Sequence, residues 1–478
     1  MIMNLRKLLT ARDVTVGTPW KRLLELALPL LIGNIAQGLY NTVDTIVVGK
    51  YVGDNALSAV GAAGPFTTFV FIFFLGIGIG AGILVSQRFG AKDKEGLSQV
   101  IGNAMTITVI VSIVTTVFGL VLTRCPIFGG RDLLQILNTP EGEIYEWSKQ
   151  YLTIIFAGVT GTIFYNVFAG CMRALGDSIS ALMFLLLACG INIVLDLFFV
   201  ARLGMGVSGV AYATIIAQTI SAICCGLKLF GMKEYFHVTG KELRLKKSIV
   251  TKILALGIPT GIGQGVFSMS QFFVQALTNS MGPVVMACNV VVLRIDSFAI
   301  MPYFSLGTAM TTYIGQNYGA KQLGRIEKGT KQGVILALCM SFSLMVIMIT
   351  FAHGLAGIFT NTEALKDLAV SSLRILAMAY MLMSCSQTLQ GYLRGIGSTT
   401  STMIISMVTQ IGARIPLAYY FARVTATPEF PNGQATALYF SLACAWATAF
   451  IITLIFYFAR KKQLRDRAEE GWIQEYRE

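Results

Sequence analysis

Three aspartates, Asp44, Asp196 and Asp296, fall well inside long apolar stretches, whereas most other acidic residues lie in polar connections or tails. A carboxylate at bilayer depth costs roughly 2.5–3.5 kcal/mol on insertion scales, so it is expected to face protein or water and to have a task. Desolvation favours the neutral acid and a bound cation favours the carboxylate, so one buried aspartate can exchange a proton or Na⁺. Asp44 closes a stripe of Asn34, Gln37, Asn41 and Asp44, whose spacing places all four on one helical face, with Tyr40 beside them. Gln264, Ser268, Gln271 and Gln275 form the same stripe in the second half, without an acid. Either stripe alone is explained by interhelical hydrogen bonding. Together they point to a wet central cavity that a substrate enters. Asn192 and Asp196, four apart, are neighbours on a helix face. Asp296 lies two residues from Arg294, which leaves both a functional role and a local charge pair open.

Other chemistries find no support in the residues. The two histidines, His237 and His353, lie far from any ligand cluster, and the nine cysteines sit mostly in apolar runs without paired spacing. Neither a Ser-His-Asp arrangement nor a nucleotide motif is present, so no enzyme, no cofactor and no metal beyond a coupling Na⁺ is expected. Gly76, Gly78, Gly80 and Gly82 lack the preceding strand and the Lys-Ser/Thr of a phosphate loop. Close helix packing accounts for them better.

The elements that must position these residues follow from composition. Of 478 residues, 55% are hydrophobic and 13% charged, a balance that neither a soluble globule nor a disordered chain can sustain. Apolar segments lie at about 22–48, 57–87, 98–123, 148–170, 178–200 and 207–230, then at about 249–280, 284–316, 331–352, 367–392, 400–422 and 436–459. Each exceeds the roughly 20 residues that a helix needs to cross a bilayer core. An all-α integral membrane protein with twelve transmembrane helices is expected. Its parts are an N-terminal segment 1–21, a six-helix lobe 22–230, a linker 231–248, a second six-helix lobe 249–459 and a tail 460–478.

The formal charge of +13 comes without a nucleic-acid-binding motif. Basic residues instead gather at alternate helix ends: Arg6, Lys7, Arg12, Lys21 and Arg22, then Arg88 and Lys92, the lysine-rich linker, Lys321 to Lys331, and Arg460 to Arg467. The opposite side keeps fewer, among them Lys50, Arg124, Arg131 and Lys149, diluted by Glu141, Glu143 and Glu146. That imbalance places both termini in the cytoplasm. The N-terminal segment has no signal-peptide core.

The halves repeat each other. Ala27-Leu28-Pro29 matches Gly257-Ile258-Pro259, Gln87-Arg88-Phe89-Gly90-Ala91-Lys92 matches Gln316-Asn317-Tyr318-Gly319-Ala320-Lys321, and the turn from Gly170 to Asp177 matches that from Gly391 to Ser398. Six spans per half keep both halves in the same orientation, so a pseudo-two-fold axis along the membrane normal is expected to relate two bundles. Pro29 and Pro259 each remove a backbone hydrogen bond and are candidate hinges. The repeat position of Asp44 is Val274, and the seventh and tenth spans carry no acid in their apolar interiors, so a cation or proton centre is expected in the first half.

On these residues the sequence resembles the multidrug and toxic compound extrusion (MATE) family. The segments LALPLLIGNIAQGLYNTVDTIVVG, SQRFGAKD with its echo IGQNYGAKQ, GCMRALGD, NIVLD and GVSGVAYATIIAQ carry the likeness, which spans residues 20–460 and is nearest to bacterial MepA-type exporters. The resemblance implies two lobes around a cleft that opens alternately to each side, and export of organic, often cationic compounds driven by Na⁺ or H⁺ entry. It implies a cation site of Asp44, Asn192, Asp196 and Thr214. The glutamate and aspartate that some members carry on the seventh and tenth helices are missing here, in line with the asymmetry above. It also implies a bacterial inner membrane and no obligate protein partner. A lipid-linked precursor flippase of the same superfamily is the alternative. It would be expected to line its cavity with several arginines, whereas Arg173 and Arg394 sit at loop turns.

Overall fold

The structure, a computed structural model, describes residues 10–125, 134, 142–428 and 430–470. Arg6, Lys7, Arg131 and Glu141 of the charge pattern, and the outer parts of the terminal segments, lie outside them. Among the described residues all regular structure is helical. Before the linker run α1 (Pro19–Tyr51), α2 (Asp54–Gly90), α3 (Lys94–Arg124), α4 (Glu143–Ala157 and Val159–Ala174), α5 (Ser178–Asp196, continued by Leu197–Arg202) and α6 (Gly206–Phe230). After it run α7 (Lys247–Ser280), α8 (Pro283–Gly319), α9 (Leu323–Gly357), α10 (Glu363–Gly395), α11 (Thr399–Met407, Val408–Arg414 and Ile415–Val424) and α12 (Ala435–Glu469). Each expected apolar segment falls within one of these twelve. Among the described residues, nine helices are long and apolar enough to cross a membrane, and α4, bent by 51° between its two pieces, makes a tenth as one broken span.

The sequence repeat is a repeat of helix endings. Lys92 and Lys321 adopt left-handed φ values of 57° and 56° just after α2 and α8, and Gly176 and Gly397 adopt 83° and 86° just after α4 and α10. In each case the chain folds back onto the helix it leaves. The amide of Asp93 donates to the Arg88 carbonyl at 3.1 Å and that of Gln322 to Asn317 at 3.0 Å; Asp177 reaches Met172 at 2.9 Å and Ser398 reaches Leu393 at 2.8 Å. These bonds satisfy carbonyls that the helix end would otherwise orphan.

The chain divides into two compact units. One contains Ile32–Gly261 and the described residues up to Asp13; the other contains Val14–Leu31 and the described residues from Ile262 on. The boundaries within α1 and α7 fall two residues past Pro29 and Pro259, beside the point where each helix lacks an amide donor.

In the first unit, Ile249 and Ile253 of α7 join a core with Val85, Ile101, Phe168 and Leu229. The glycine run of α2 makes this packing possible. A Cβ on Gly76 would lie 2.5 Å from the Gly257 carbonyl oxygen, and one on Gly80 would lie 2.6 Å from the Gly257 nitrogen, whereas Gly78 and Gly82 face Val167 and Gly170 of α4. Four glycines thus serve two backbone approaches. Asn103 of α3 anchors the linker, accepting from the Lys246 amide at 2.7 Å and donating to the Glu242 carbonyl at 3.2 Å.

In the second unit, Val14, Leu23 and Leu26 pack with Leu306, Met310, Tyr313 and Leu393. The Val14 amide donates to Gln316 Oε1 at 3.0 Å, and the Val14 carbonyl accepts from Asn317 Nδ2 at 3.4 Å and from Arg325 at 3.0 Å. Both amide side chains are fully buried, so the end of α8 doubles as the anchor of the segment that leads into α1.

Candidate functional site

In the first unit, α1, α5 and α6 bring Asp44, Asn192, Asp196 and Thr214 together. Asn192 and Asp196 share a face of α5 and are buried, and Asp44 is half-buried. Immediately after Asp196 the hydrogen-bond ladder widens into a π-helical stretch, Leu197–Arg202, a departure often found where a helix re-aims a functional side chain. Asn192 Nδ2 donates to Thr214 Oγ1 at 3.4 Å, and the Tyr40 hydroxyl meets the same oxygen at 3.4 Å. The side chains of Asp44 and Asp196 adjoin, Tyr40 lies beside Asp44, and Tyr151 of α4 faces both carboxyls. Neither oxygen of Asp196, nor Asp44 Oδ1, nor Asn192 Oδ1 has a hydrogen-bond partner.

Two adjacent carboxylates hold no proton to share, so each presents lone pairs to the other. Leaving such acceptors unsatisfied out of water is costly, and a proton or a small hard cation relieves it. Carboxylate, amide and hydroxyl oxygens are hard donors of the kind that take up a proton or a small hard cation such as Na⁺. Tyr151 carries no spacing signal, because it comes from a separate helix. Gln218 does carry one: it sits one turn beyond Thr214 on α6, and its buried Oε1 also has no partner.

The remaining stripe residues are placed unevenly. On α1, Gln37 and Asn41 are accessible and Asn34 is half-buried. On α7, Gln264 is accessible and Ser268 half-buried. Gln271 accepts from Arg414 at 2.6 Å, while Gln275 donates to Asn279 at 2.8 Å and accepts from Asn289 at 3.3 Å. Val274, the repeat position of Asp44, is part of an apolar core.

The open question at Asp296 resolves against a local charge pair. Arg294 is exposed and Asp296 buried, because residues two apart point to opposite sides of a helix. Asp296 instead accepts the Tyr380 hydroxyl at 2.6 Å, and the guanidinium that it feels is Arg414 of α11. Arg414 gives the same sequence signal as the aspartates, a charge inside an apolar span.

A helical, multi-pass membrane fold with a buried acid pair beside an accessible polar stripe defines a membrane transporter. The MatE family profile matches residues 29–198 and 259–420, and the chain belongs to that family. It is 26% identical over 413 residues to the probable multidrug resistance protein YoeA of Bacillus subtilis (strain 168), a match covering 85% of this chain and 88% of the relative. Over 398 residues it is 22% identical to the multidrug export protein MepA of Staphylococcus aureus (strain N315), covering 81% and 84%. Among solved structures, a crystal structure of MATE in the bent conformation superposes with a TM-score of 0.87 at 25% identity, covering 95% of this chain and 98% of the other. An outward-facing multidrug resistance MATE family transporter of the MOP superfamily superposes with a TM-score of 0.84 at 25% identity, with the same coverage. Family membership makes the chain a transporter rather than an enzyme.

Proposed function

We propose that the chain is an efflux antiporter of a bacterial inner membrane, with both termini cytoplasmic, that exports organic and often cationic compounds by alternating access in exchange for Na⁺ or H⁺. Relatives named for multidrug resistance and multidrug export support drug-like cargo. The observation that carries the coupling is the Asp44–Asp196 pair, with its unsatisfied oxygens and its neutral neighbours Asn192, Thr214 and Tyr40. Uptake of one cation cancels one of the two negative charges and relieves the repulsion, and its release restores it, so occupancy has a conformational cost that can be linked to transport. Asn34, Gln37 and Asn41, on the same stripe as Asp44, are the proposed substrate contacts in the first unit, with Gln264 and Ser268 offering the equivalent in the second. Pro29 and Pro259, each of which removes one amide donor from the ladder of its helix, are the proposed hinges. No cofactor beyond the coupling ion is invoked.

The test is export of ethidium from proteoliposomes under an imposed Na⁺ or pH gradient. Wild type is expected to respond to one of the two. Asp44→Asn keeps the side-chain shape and removes the charge, so it should abolish the gradient-driven component while the protein remains monodisperse. Undiminished export by that variant would overturn the assignment.

A further inference from the structure

Arg414 is 4% exposed and closes the π-helical stretch Val408–Arg414 of α11. Its guanidinium offers five donors in a planar fork. One terminal nitrogen donates to Gln271 Oε1 at 2.6 Å and the other to Gln410 Oε1 at 3.3 Å, and both acceptors are neutral amides. Nε is buried and has no partner. Among the described residues no ion pair includes Arg414. Asp296 is close enough to interact electrostatically, but it is engaged by the Tyr380 hydroxyl. A second donor nearby is also idle: the buried Tyr303 hydroxyl, which adjoins Asp296, has no partner. The rings of Tyr303, Tyr380 and Trp446 follow one another at 5.8 and 5.5 Å, an aromatic wall beside this polar cluster.

The hydrogen-bond acceptors of Arg414 are both neutral, and Asp296, the opposite charge that it feels, makes no direct ion pair with it, so the burial of the guanidinium is compensated only at a distance. The two glutamines hold the fork in one orientation and leave Nε–H as a buried donor without an acceptor, a charge-assisted donor that a carboxylate oxygen would satisfy. We propose that Arg414, oriented by Gln271 and Gln410, is an anion-receiving site in the second unit, and that it recognises the carboxylate of zwitterionic or anionic aromatic substrates. The proposal rests on the chain being an exporter of amphipathic compounds and adds a substrate class to that reading. The first unit would serve the coupling cation, and the second would read a negative group on the cargo.

A matched pair of dyes tests it: rhodamine 110, which carries a free carboxylate, and rhodamine 123, its methyl ester. Binding to the purified full-length chain is read by fluorescence anisotropy at neutral pH, scoring only protein that elutes as wild type does. Arg414→Gln is expected to weaken rhodamine 110 by about tenfold or more and to leave rhodamine 123 nearly unchanged. In wild type, benzoate should displace rhodamine 110 but not rhodamine 123, and neutral benzamide should displace neither. Equal effects of the variant on both dyes, or benzoate that fails to compete with rhodamine 110 in wild type, would overturn the proposal. The second arm needs no variant, so it decides even where Arg414→Gln does not fold. Because these are equilibrium measurements without a gradient, a failure of coupled export leaves their outcome intact, and the two readings fall separately.

Discussion

Two carboxyl groups that meet away from bulk water cannot both remain ionised without a compensating charge, so Asp44 and Asp196 have to act as one group. A single proton or a single Na⁺ satisfies both, and removing either charge removes most of the reason to bind it. The variants Asp44→Asn and Asp196→Asn are therefore expected to be strongly non-additive: each alone should remove nearly all ion dependence of dye binding, and the double variant should add little. A double-mutant cycle on that ion dependence checks this, and additive losses would place the carboxyls in separate sites. Asp44, Asn192 and Asp196 were readable in the sequence because a charge in an apolar run stands out and a four-residue spacing fixes a shared face. Thr214 came only through the family likeness, since a threonine in an apolar helix is unremarkable by itself. Tyr151 was not readable at all, because its position depends on how α4 meets α1 and α5. Arg414 was readable in principle, by the same rule that found the acids.

At the scale of elements, hydropathy locates twelve helices because each apolar run is longer than a bilayer crossing needs. It does not reveal the bend in α4 or the π-helical stretches of α5 and α11, which alter the hydrogen-bond ladder and leave composition unchanged. The glycine run of α2 shows how spacing becomes packing. Gly80 meets the Gly257 nitrogen and the Ile253 carbonyl oxygen, both at 2.6 Å from an added Cβ, and backbone atoms in a regular helix have little room to move. Gly61, on the same helix, has no neighbour within 4 Å of an added Cβ. Gly80→Leu is thus expected to destabilise the protein by about 1–3 kcal/mol through overpacking, whereas Gly61→Ala should be neutral or stabilise by up to about 1 kcal/mol. Thermal melts followed by gel filtration separate the two, and equal tolerance at both positions would contradict the close approach of α2 to α7.

At the scale of the whole molecule, the family profile matches each half once, and the two units of the fold share out α1 and α7 in the same way, each boundary just beyond a proline. The halves have nevertheless diverged in charge: an acid pair in one, a glutamine-bound arginine beside a single aspartate in the other. Such a division suits an exchanger, in which cargo and coupling ion need only favour different states of one conformational equilibrium. Thermodynamic linkage then requires each ligand to weaken the other by the same factor, and coupling free energies of the usual size correspond to about 5- to 150-fold. The sign follows from the site. Under the proposed coupling, raising Na⁺, or lowering pH if the proton is the coupling ion, would fill the Asp44–Asp196 pair and shift the chain away from the state that holds an organic cation. Ethidium affinity should therefore fall as Na⁺ rises or as pH falls, with one of the two titrations producing the effect, and the dependence should vanish in Asp44→Asn because Asp196 then no longer faces a second carboxylate whose repulsion a cation relieves. The reciprocal experiment, saturating ethidium and measuring the ion concentration at half-effect, should return the same factor. An affinity that stays flat in both titrations of the wild type would remove the basis for coupling through this pair, even in a protein that still exports drugs.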